Sequence, residues 1–190
     1  MSESPCVSIG LAVYNGEKYL KKALDSIITQ TFTDLELIIS DNFSTDNTQQ
    51  ICEQYASQDE RIRYYRNNKN IGAPRNFNRA FELASGKYFK WAASDDVLAP
   101  DFLRKCVAIL DKDASVVLCH SITGRIDENG DLLRYTVNTA TGNVLCWNSI
   151  QAIYSGGVTG TSQQQWKPRI GGVIDAVNDT SWLNGNKVCL

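Results

Sequence analysis

Short apolar runs alternate with amphipathic stretches along most of this chain. Residues 7–13 (Val-Ser-Ile-Gly-Leu-Ala-Val) and 35–40 (Leu-Glu-Leu-Ile-Ile-Ser) read as buried strands. After the first, Leu20, Ala23, Leu24, Ile27 and Ile28 recur at helical spacing; after the second, Ile51, Cys52, Tyr55 and Ala56 do. Asn15 stands where it can cap the first helix, and Ser44-Thr-Asp-Asn-Thr48 has the composition of a helix start. Residues 61–66 predict a third strand, polar enough to be an edge. Asn70-Ile-Gly-Ala-Pro74 opens a third helix with Pro74 at or near its first position, Phe77, Ala80, Phe81 and Ala84 as its stripe, and Gly86 as its end. A strand at 87–91, a helix near 101–112 and a strand at 116–120 complete the run. Ile122 to Tyr135 reads as a hairpin around Asn129-Gly130.

This alternation implies β-α-β units and an α/β fold built on a mainly parallel sheet. Such sheets bind ligands beyond the carboxyl ends of their strands, where the strand order reverses. Tyr14-Asn15, Asp41-Asn42 and Asp95-Asp96 stand at three of those ends and are expected to line one crevice. The doublet Asp95-Asp96, between a strand end and a helix start, is the pivot. Adjacent carboxylates repel unless a cation or hydrogen-bond donors lie between them. Mg2+ or Mn2+ suits such oxygen ligands, and these ions usually bind through one or two carboxylates plus substrate phosphates. The plain alternative is a solvated turn in which one aspartate caps the next helix. Tyr14 offers a ring face to a base or simply packs. Asp41 accepts from a base edge or ribose hydroxyl, or caps. Arg75 pairs with a phosphate or is a solvated helix charge. Taken jointly, these residues favour a nucleotide, whose pyrophosphate would need the metal.

Composition narrows the picture. The 190 residues suit one domain, perhaps with an extra lobe, and 43% hydrophobic content is enough for a sizeable core. A net charge of −2 makes no electrostatic case for nucleic acid. No run approaches the roughly 18 apolar residues of a membrane helix, and no leader pattern is visible at the N-terminus. Six cysteines without a Cys-x-x-Cys pair argue for small buried hydrophobes in a reducing compartment. Neither a phosphate loop nor a Gly-x-Gly-x-x-Gly follows the first strand, which excludes the usual ATPase and dinucleotide oxidoreductase signatures.

In order, the chain carries Val7-Ser-Ile-x-Leu-x-Val-Tyr-Asn15, Tyr19-Leu20, Ser26-Ile27, Gln30-Thr-Phe32, Leu35-Glu-Leu-Ile-Ile-x-Asp41, Ser44-Thr-Asp46 and Asn70-Ile-Gly72. Ala84-x-Gly86-x-Tyr88 and Asp95-Asp96-x-Leu-x-Pro100 follow. As an ordered set over residues 5 to 120 this resembles the family 2 glycosyltransferases. The resemblance implies a GT-A fold, with a Rossmann-like sheet flanked by helices, and sugar transfer from a nucleotide-diphosphate sugar (UDP-, dTDP- or GDP-linked), inverting and dependent on Mn2+ or Mg2+. The acceptor would be a saccharide, a lipid-linked or another molecule. By position, Ala12, Tyr14, Glu17, Asp41, Arg75 and Asp95 are implied as donor-binding and Asp96 as the metal ligand. Also implied are a cytoplasmic location, free or peripheral to a membrane, and a role in cell-wall or polysaccharide biosynthesis.

Ala12 stands where the family often has proline. Residues 1–135 are expected to be the donor domain. Residues 136–190, rich in Gly, Thr, Ser and Gln beyond Tyr154, are expected to be a shortened or altered acceptor half or a poorly ordered tail. No general base is identifiable there: Asp175 and Asp179 read as loop aspartates, His120 as a packed strand residue, and Trp147, Trp166 and Trp182 as core or partner anchors. A nucleotide-sugar-binding remnant without a base is therefore the alternative. A nucleotidyltransferase would want a glycine-rich basic loop at Tyr14–Glu17, and an aspartate-dependent phosphatase a nucleophile at Val13-Tyr14.

Overall fold

The computed structural model of the protein describes residues 4–113, 116, 118–136, 144–154 and 188–189. The strand–helix alternation appears in the expected order: β1 (Val7–Val13), α1 (Glu17–Ile28), β2 (Leu35–Asp41), α2 (Thr48–Gln58), β3 (Ile62–Arg66), α3 (Ala73–Glu82) and β4 (Tyr88–Ala92). Then come β5 (Asp96–Leu98), α4 (Phe102–Lys112), β6 (Leu118–Ile126), β7 (Leu132–Thr136), β8 (Val144–Tyr154) and β9 (Val188–Cys189). The first four strands form a parallel block in the order β3-β2-β1-β4. The sheet continues through β9, β6, β8 and β5, with β7 antiparallel on β6. The chain thus grows outward from β1 in one direction, through β2 and β3, and then returns to place β4 on β1's other side.

Both faces of this block are covered, which is why its central strands are almost continuously apolar. On one face Val7, Ile9, Leu11 and Val13 of β1 pack with Leu20, Leu24 and Ile27 of α1 and with Leu103 and Cys106 of α4. On the other, α3 lays Ala80 and Ala84 over Ile38 and Phe89. There Phe81 meets Phe89 edge-on at 4.9 Å between centroids. Cys52, Cys106 and Cys119 are buried free thiols, and burial pushes Cys52 up to about 12, which removes it as a nucleophile.

Several sequence expectations are corrected. Asn15 does not cap α1: the helix starts after Gly16 with no side-chain cap bond. The Asn15 carboxamide is instead spent on a neighbouring loop, described below. Gly86 does not end α3, which stops at Glu82 with Leu83 as its cap. Its glycine is required because a Cβ there would lie 2.7 Å from the Ser8 amide nitrogen on β1. The strand expected at 116–120 and the first arm of the hairpin are one strand, β6. The acidic doublet is followed by β5, not directly by a helix, because residues 96–98 pair antiparallel with β8. Asp175, Asp179, Trp166 and Trp182 lie outside the described residues.

At the opposite end of the sheet from the strand carboxyl termini, Glu36 is a buried carboxylate with a full set of partners. Its Oε1 accepts from the Ser8 hydroxyl at 2.6 Å and from the Ser85 amide and hydroxyl at 2.8 Å each. Its Oε2 accepts from Arg63 Nη1 at 2.9 Å. Burial works to raise its pKa, but the bonds from Ser8, Ser85 and Arg63 outweigh it and hold the carboxyl below the usual range. A depressed folded-state pKa gives stability that is complete above the unfolded value of about 4.3 and is lost as pH falls through the folded value. Glu36→Ala is expected to cost about 2 kcal/mol at neutral pH, since it takes the acceptor from the fully buried Ser8 hydroxyl and removes the bonds from Ser85 and Arg63. Urea unfolding from about pH 5 down to pH 3 should lower the midpoint more for wild type than for Glu36→Ala. Parallel midpoints across that window would contradict this role.

Candidate functional site

The carboxyl ends of β1 and β2 carry two loops that are zipped together. The Asn15 and Gly16 amides donate to Ser44 Oγ (3.0 Å) and Thr48 Oγ1 (2.9 Å). In the other direction, the Thr45 amide donates to Asn15 Oδ1 (2.8 Å) and the Asn47 amide to Glu17 Oε2 (2.9 Å). These bonds satisfy amides that the helix starts would otherwise leave without partners. They also hold two non-glycine residues at positive φ, Asn15 (51°) and Phe43 (67°). Asparagine tolerates that region; for phenylalanine it costs about 1–2 kcal/mol. Asp41 supplies the restraint. Fully buried, it accepts from the Ser44 amide (2.9 Å) and hydroxyl (2.6 Å) on Oδ1, and from the Tyr64 hydroxyl (2.8 Å) on Oδ2. Arg66 Nε lies 3.4 Å away, and its guanidinium stacks on the Phe43 ring at 4.4 Å. Burial, then the Asp41 carboxylate, drives the Tyr64 hydroxyl pKa upward, so this tyrosine stays a donor.

Beside these loops lies a groove of about 400 Å³, walled by Ala12 and Tyr14 of the β1 end, Asn42 after β2, and Asn70, Gly72 and Phe77 around the start of α3. Tyr14 is 49% exposed, an apolar ring left open to solvent at the groove edge. The floor is a carboxamide network. Asn76 donates to the Ser40 carbonyl at 2.8 Å and accepts from the Ser40 hydroxyl (2.7 Å) and Asn67 Nδ2 (2.9 Å). Asn67 also donates to Asn42 Oδ1, which accepts the Ile71 amide, and Asn42 in turn donates to Asn70 Oδ1. Arg79 closes the set on Asn67 Oδ1.

The acidic doublet sits on the other side of β1. The two segments touch: a Cβ on Gly16 would come within 3.1 Å of Ser94 Oγ. Asp95 is exposed yet crowded on enough sides that desolvation raises its carboxyl pKa. Asp96 is half-buried at the start of β5. Among the described residues no group of three or more His, Cys, Asp or Glu converges as a self-sufficient metal centre. Two adjacent carboxylates, one exposed and one half-buried, have the oxygen chemistry that suits an ion taking its remaining ligands from a substrate's phosphates.

Of the residues singled out from sequence, Ala12 and Tyr14 line the groove, and Asp41 lies buried behind it, bracing the β2–α2 loop. Glu17 is exposed and clasps the Asn47 amide. Arg75 is exposed in the first turn of α3, on a different face from the groove-lining Ala73, Asn76 and Phe77. Asn67 and Asn76 escaped the sequence reading. The available signal was a polar Asn76 one turn before Ala80, on the stripe that α3 buries.

A sheet whose order reverses at β1, with a groove and an acidic doublet at the strand ends on either side of it, has the open α/β architecture that binds ligands beyond its strand ends, and its likeness to the S. aureus TarS structures makes it one of the GT-A class. The model of glycosyl transferase family 2 matches residues 8–165, and the chain belongs to that family. It is 34% identical over 134 residues to an uncharacterized glycosyltransferase of Methanocaldococcus jannaschii, covering 70% of this chain and 46% of the relative. It is 36% identical over 130 residues to a chondroitin synthase of Escherichia coli, covering 68% of this chain and 19% of that one. The crystal structure of S. aureus TarS in complex with UDP superposes with a TM-score of 0.57 at 30% identity, over 67% of this chain and 38% of that chain. TarS in complex with UDP-GlcNAc superposes equally well at 29% identity, again over 67% of this chain, and over 36% of that one. The chain therefore spans less than half the length of these relatives. No helix among the described residues is long and apolar enough to cross a membrane.

Replacing Asn76 by alanine takes the side-chain partner from the Ser40 hydroxyl and the Ser40 carbonyl, and one of its two acceptors from Asn67 Nδ2. The expected cost is about 2–3 kcal/mol in urea unfolding. A loss below about 0.5 kcal/mol, the level of an ordinary surface substitution, would show that the network does not hold the strand ends.

Proposed function

We propose that this domain binds a nucleoside-diphosphate sugar and serves an inverting, metal-dependent sugar transfer. The observation that carries this reading is the pairing of a groove at one side of β1 with an acidic doublet at the other. The groove suits a flat base: Tyr14 supplies a ring face, and the carboxamides of Asn42 and Asn70 supply polar edges. Asp41, buried behind the groove, fixes the loop that carries Asn42 and so sets where that polar edge stands. The doublet lies where the diphosphate of such a nucleotide would run, with Asp95 toward the ribose and Asp96 holding a Mn2+ or Mg2+ ion. When bound, that ion supplies positive charge against the leaving diphosphate. The uridine nucleotides in the TarS complexes favour a UDP-linked donor over dTDP or GDP. The acceptor is a saccharide or lipid-linked molecule, and polysaccharide or cell-wall assembly in the cytoplasm is the setting we favour.

Two variants separate the parts of the site. In calorimetric titration with UDP, Asp96→Ala is expected to lose the Mn2+-dependent gain in affinity, by about tenfold or more, with the metal-free affinity kept. Asp41→Ala is expected to weaken UDP binding with and without Mn2+ alike. An Mn2+ gain that survives in Asp96→Ala would refute the metal assignment, and wild-type affinity in Asp41→Ala would show that nucleotide binding does not depend on this brace. Against UDP, dTDP and GDP in turn, wild type should bind UDP most tightly; equal affinities would refute the uridine preference.

A further inference from the structure

Gln30 is a polar side chain only 3% exposed, beyond the end of α1 and outside the groove. Its amide spans to the segment that follows the acidic doublet. Nε2 donates to the Ala99 carbonyl at 2.7 Å and to the Ser26 carbonyl at 3.0 Å, while Oε1 accepts the Leu103 amide at 3.1 Å. Leu103 lies in the first turn of α4, whose own cap residue, Asp101, makes no side-chain cap bond. Gln30 therefore caps α4 from another helix. Two neighbours extend the grip: the Leu98 amide donates to Ser26 Oγ at 3.1 Å, and the Thr31 amide donates to the Pro100 carbonyl at 2.9 Å.

These bonds act on a short lever. β5 is three residues long, starts at Asp96 and ends at Leu98, the residue bonded to Ser26. The other end of α1 begins at Gly16, in the turn that carries Tyr14 and touches Ser94. One helix thus meets the nucleotide groove at its start and holds the strand of the acidic doublet at its finish. Helix α1 is a rigid spacer between the two halves of the site, and Gln30 is its clasp.

We infer that Gln30 is a positioning residue that sets Asp95 and Asp96 at the reach needed to meet a divalent cation on the diphosphate of a nucleotide lying in the groove. The inference rests on the donor-binding reading above. Residues that orient metal ligands without touching the ion typically change metal affinity by about 10–100-fold when removed. The ratio of UDP affinity with and without Mn2+ is the quantity such a residue moves. A residue that served the fold alone would lower the melting temperature and leave that ratio unchanged.

Calorimetric titration of the full chain with UDP, with and without Mn2+, tests this on wild type, Gln30→Ala and Ser26→Ala. For Gln30→Ala the Mn2+ gain should fall by about tenfold, while metal-free UDP affinity stays within about twofold of wild type. Ser26→Ala removes the acceptor for the Leu98 amide, along with that hydroxyl's own bond to the Ala23 carbonyl, and serves if Gln30→Ala does not fold; it should reduce the same ratio by a smaller factor. A Gln30→Ala protein that keeps the full Mn2+ gain overturns the positioning role and leaves the donor-binding reading standing; an unchanged ratio in Ser26→Ala does the same where Gln30→Ala is unfolded. A wild-type protein that binds UDP with no Mn2+ gain overturns the metal reading and this inference together.

Discussion

The Asn76 carboxamide closes a problem that every parallel sheet has at its carboxyl end. Past the last ladder bond, backbone carbonyls and the amides of the following loops need partners, and leaving them buried without any is costly. Here Asn76, on α3, reaches across to the end of β2 and bonds Ser40 on both backbone and side chain. Through Asn67 and Asn42 the same network fixes the loop that opens α3. Because these amides bond one another, the groove above them has a polar floor that is already satisfied. A base placed on it needs only complementary edges, with no rearrangement of the protein beneath.

A second brace works beside the first. The β1–α1 and β2–α2 loops exchange hydrogen bonds in both directions, and Asp41 anchors the second loop through Ser44 while Tyr64 and Arg66 hold Asp41. The strain of Phe43 at positive φ is tolerated because these bonds over-determine it. Tyr14, standing exposed at the start of this clasp, is therefore a ring on a rigid mount. Seen from the sheet, the groove side is held by asparagine amides and one buried carboxylate, and the strand that begins at the acidic doublet by the far end of α1. Two independent sets of bonds thus meet at β1, where the strand order reverses.

The fold was legible because its strands and helices differ in period: runs such as 37–39 are apolar on both faces, and stripes such as Leu20, Leu24 and Ile27 lie on one. Local chemistry was harder to read. Asn15 and Gly86 carry the ordinary signatures of a helix cap and a helix end, yet the first bonds a neighbouring loop and the second makes room for Ser8. Both outcomes depend on a segment distant in sequence, which no local rule sees. Tyr14 and Asp95-Asp96 were found because strand ends are predictable places. Asn76 and Asn67 were not, since a polar residue facing the core looks like a polar residue on the surface until its partners elsewhere in the chain are known; Gln30 stood in the run Gln30-Thr-Phe32, but its bonds to Ala99 and Leu103 were not legible there. Arg75 stands exposed in the first turn of α3, on a different helix face from the groove-lining Ala73, Asn76 and Phe77, a phase that its place in the sequence did not reveal.

The most direct test of the central claim, that one nucleotide bridges the groove and the acidic doublet across β1, is a crystal structure of this chain soaked with UDP and Mn2+. The expected result is a uracil ring against Tyr14 and the Asn42–Asn70 edge, with the diphosphate running toward Asp96 and an ion beside that carboxylate. A nucleotide bound elsewhere on the sheet, or one in the groove whose diphosphate points away from Asp95-Asp96, would contradict it.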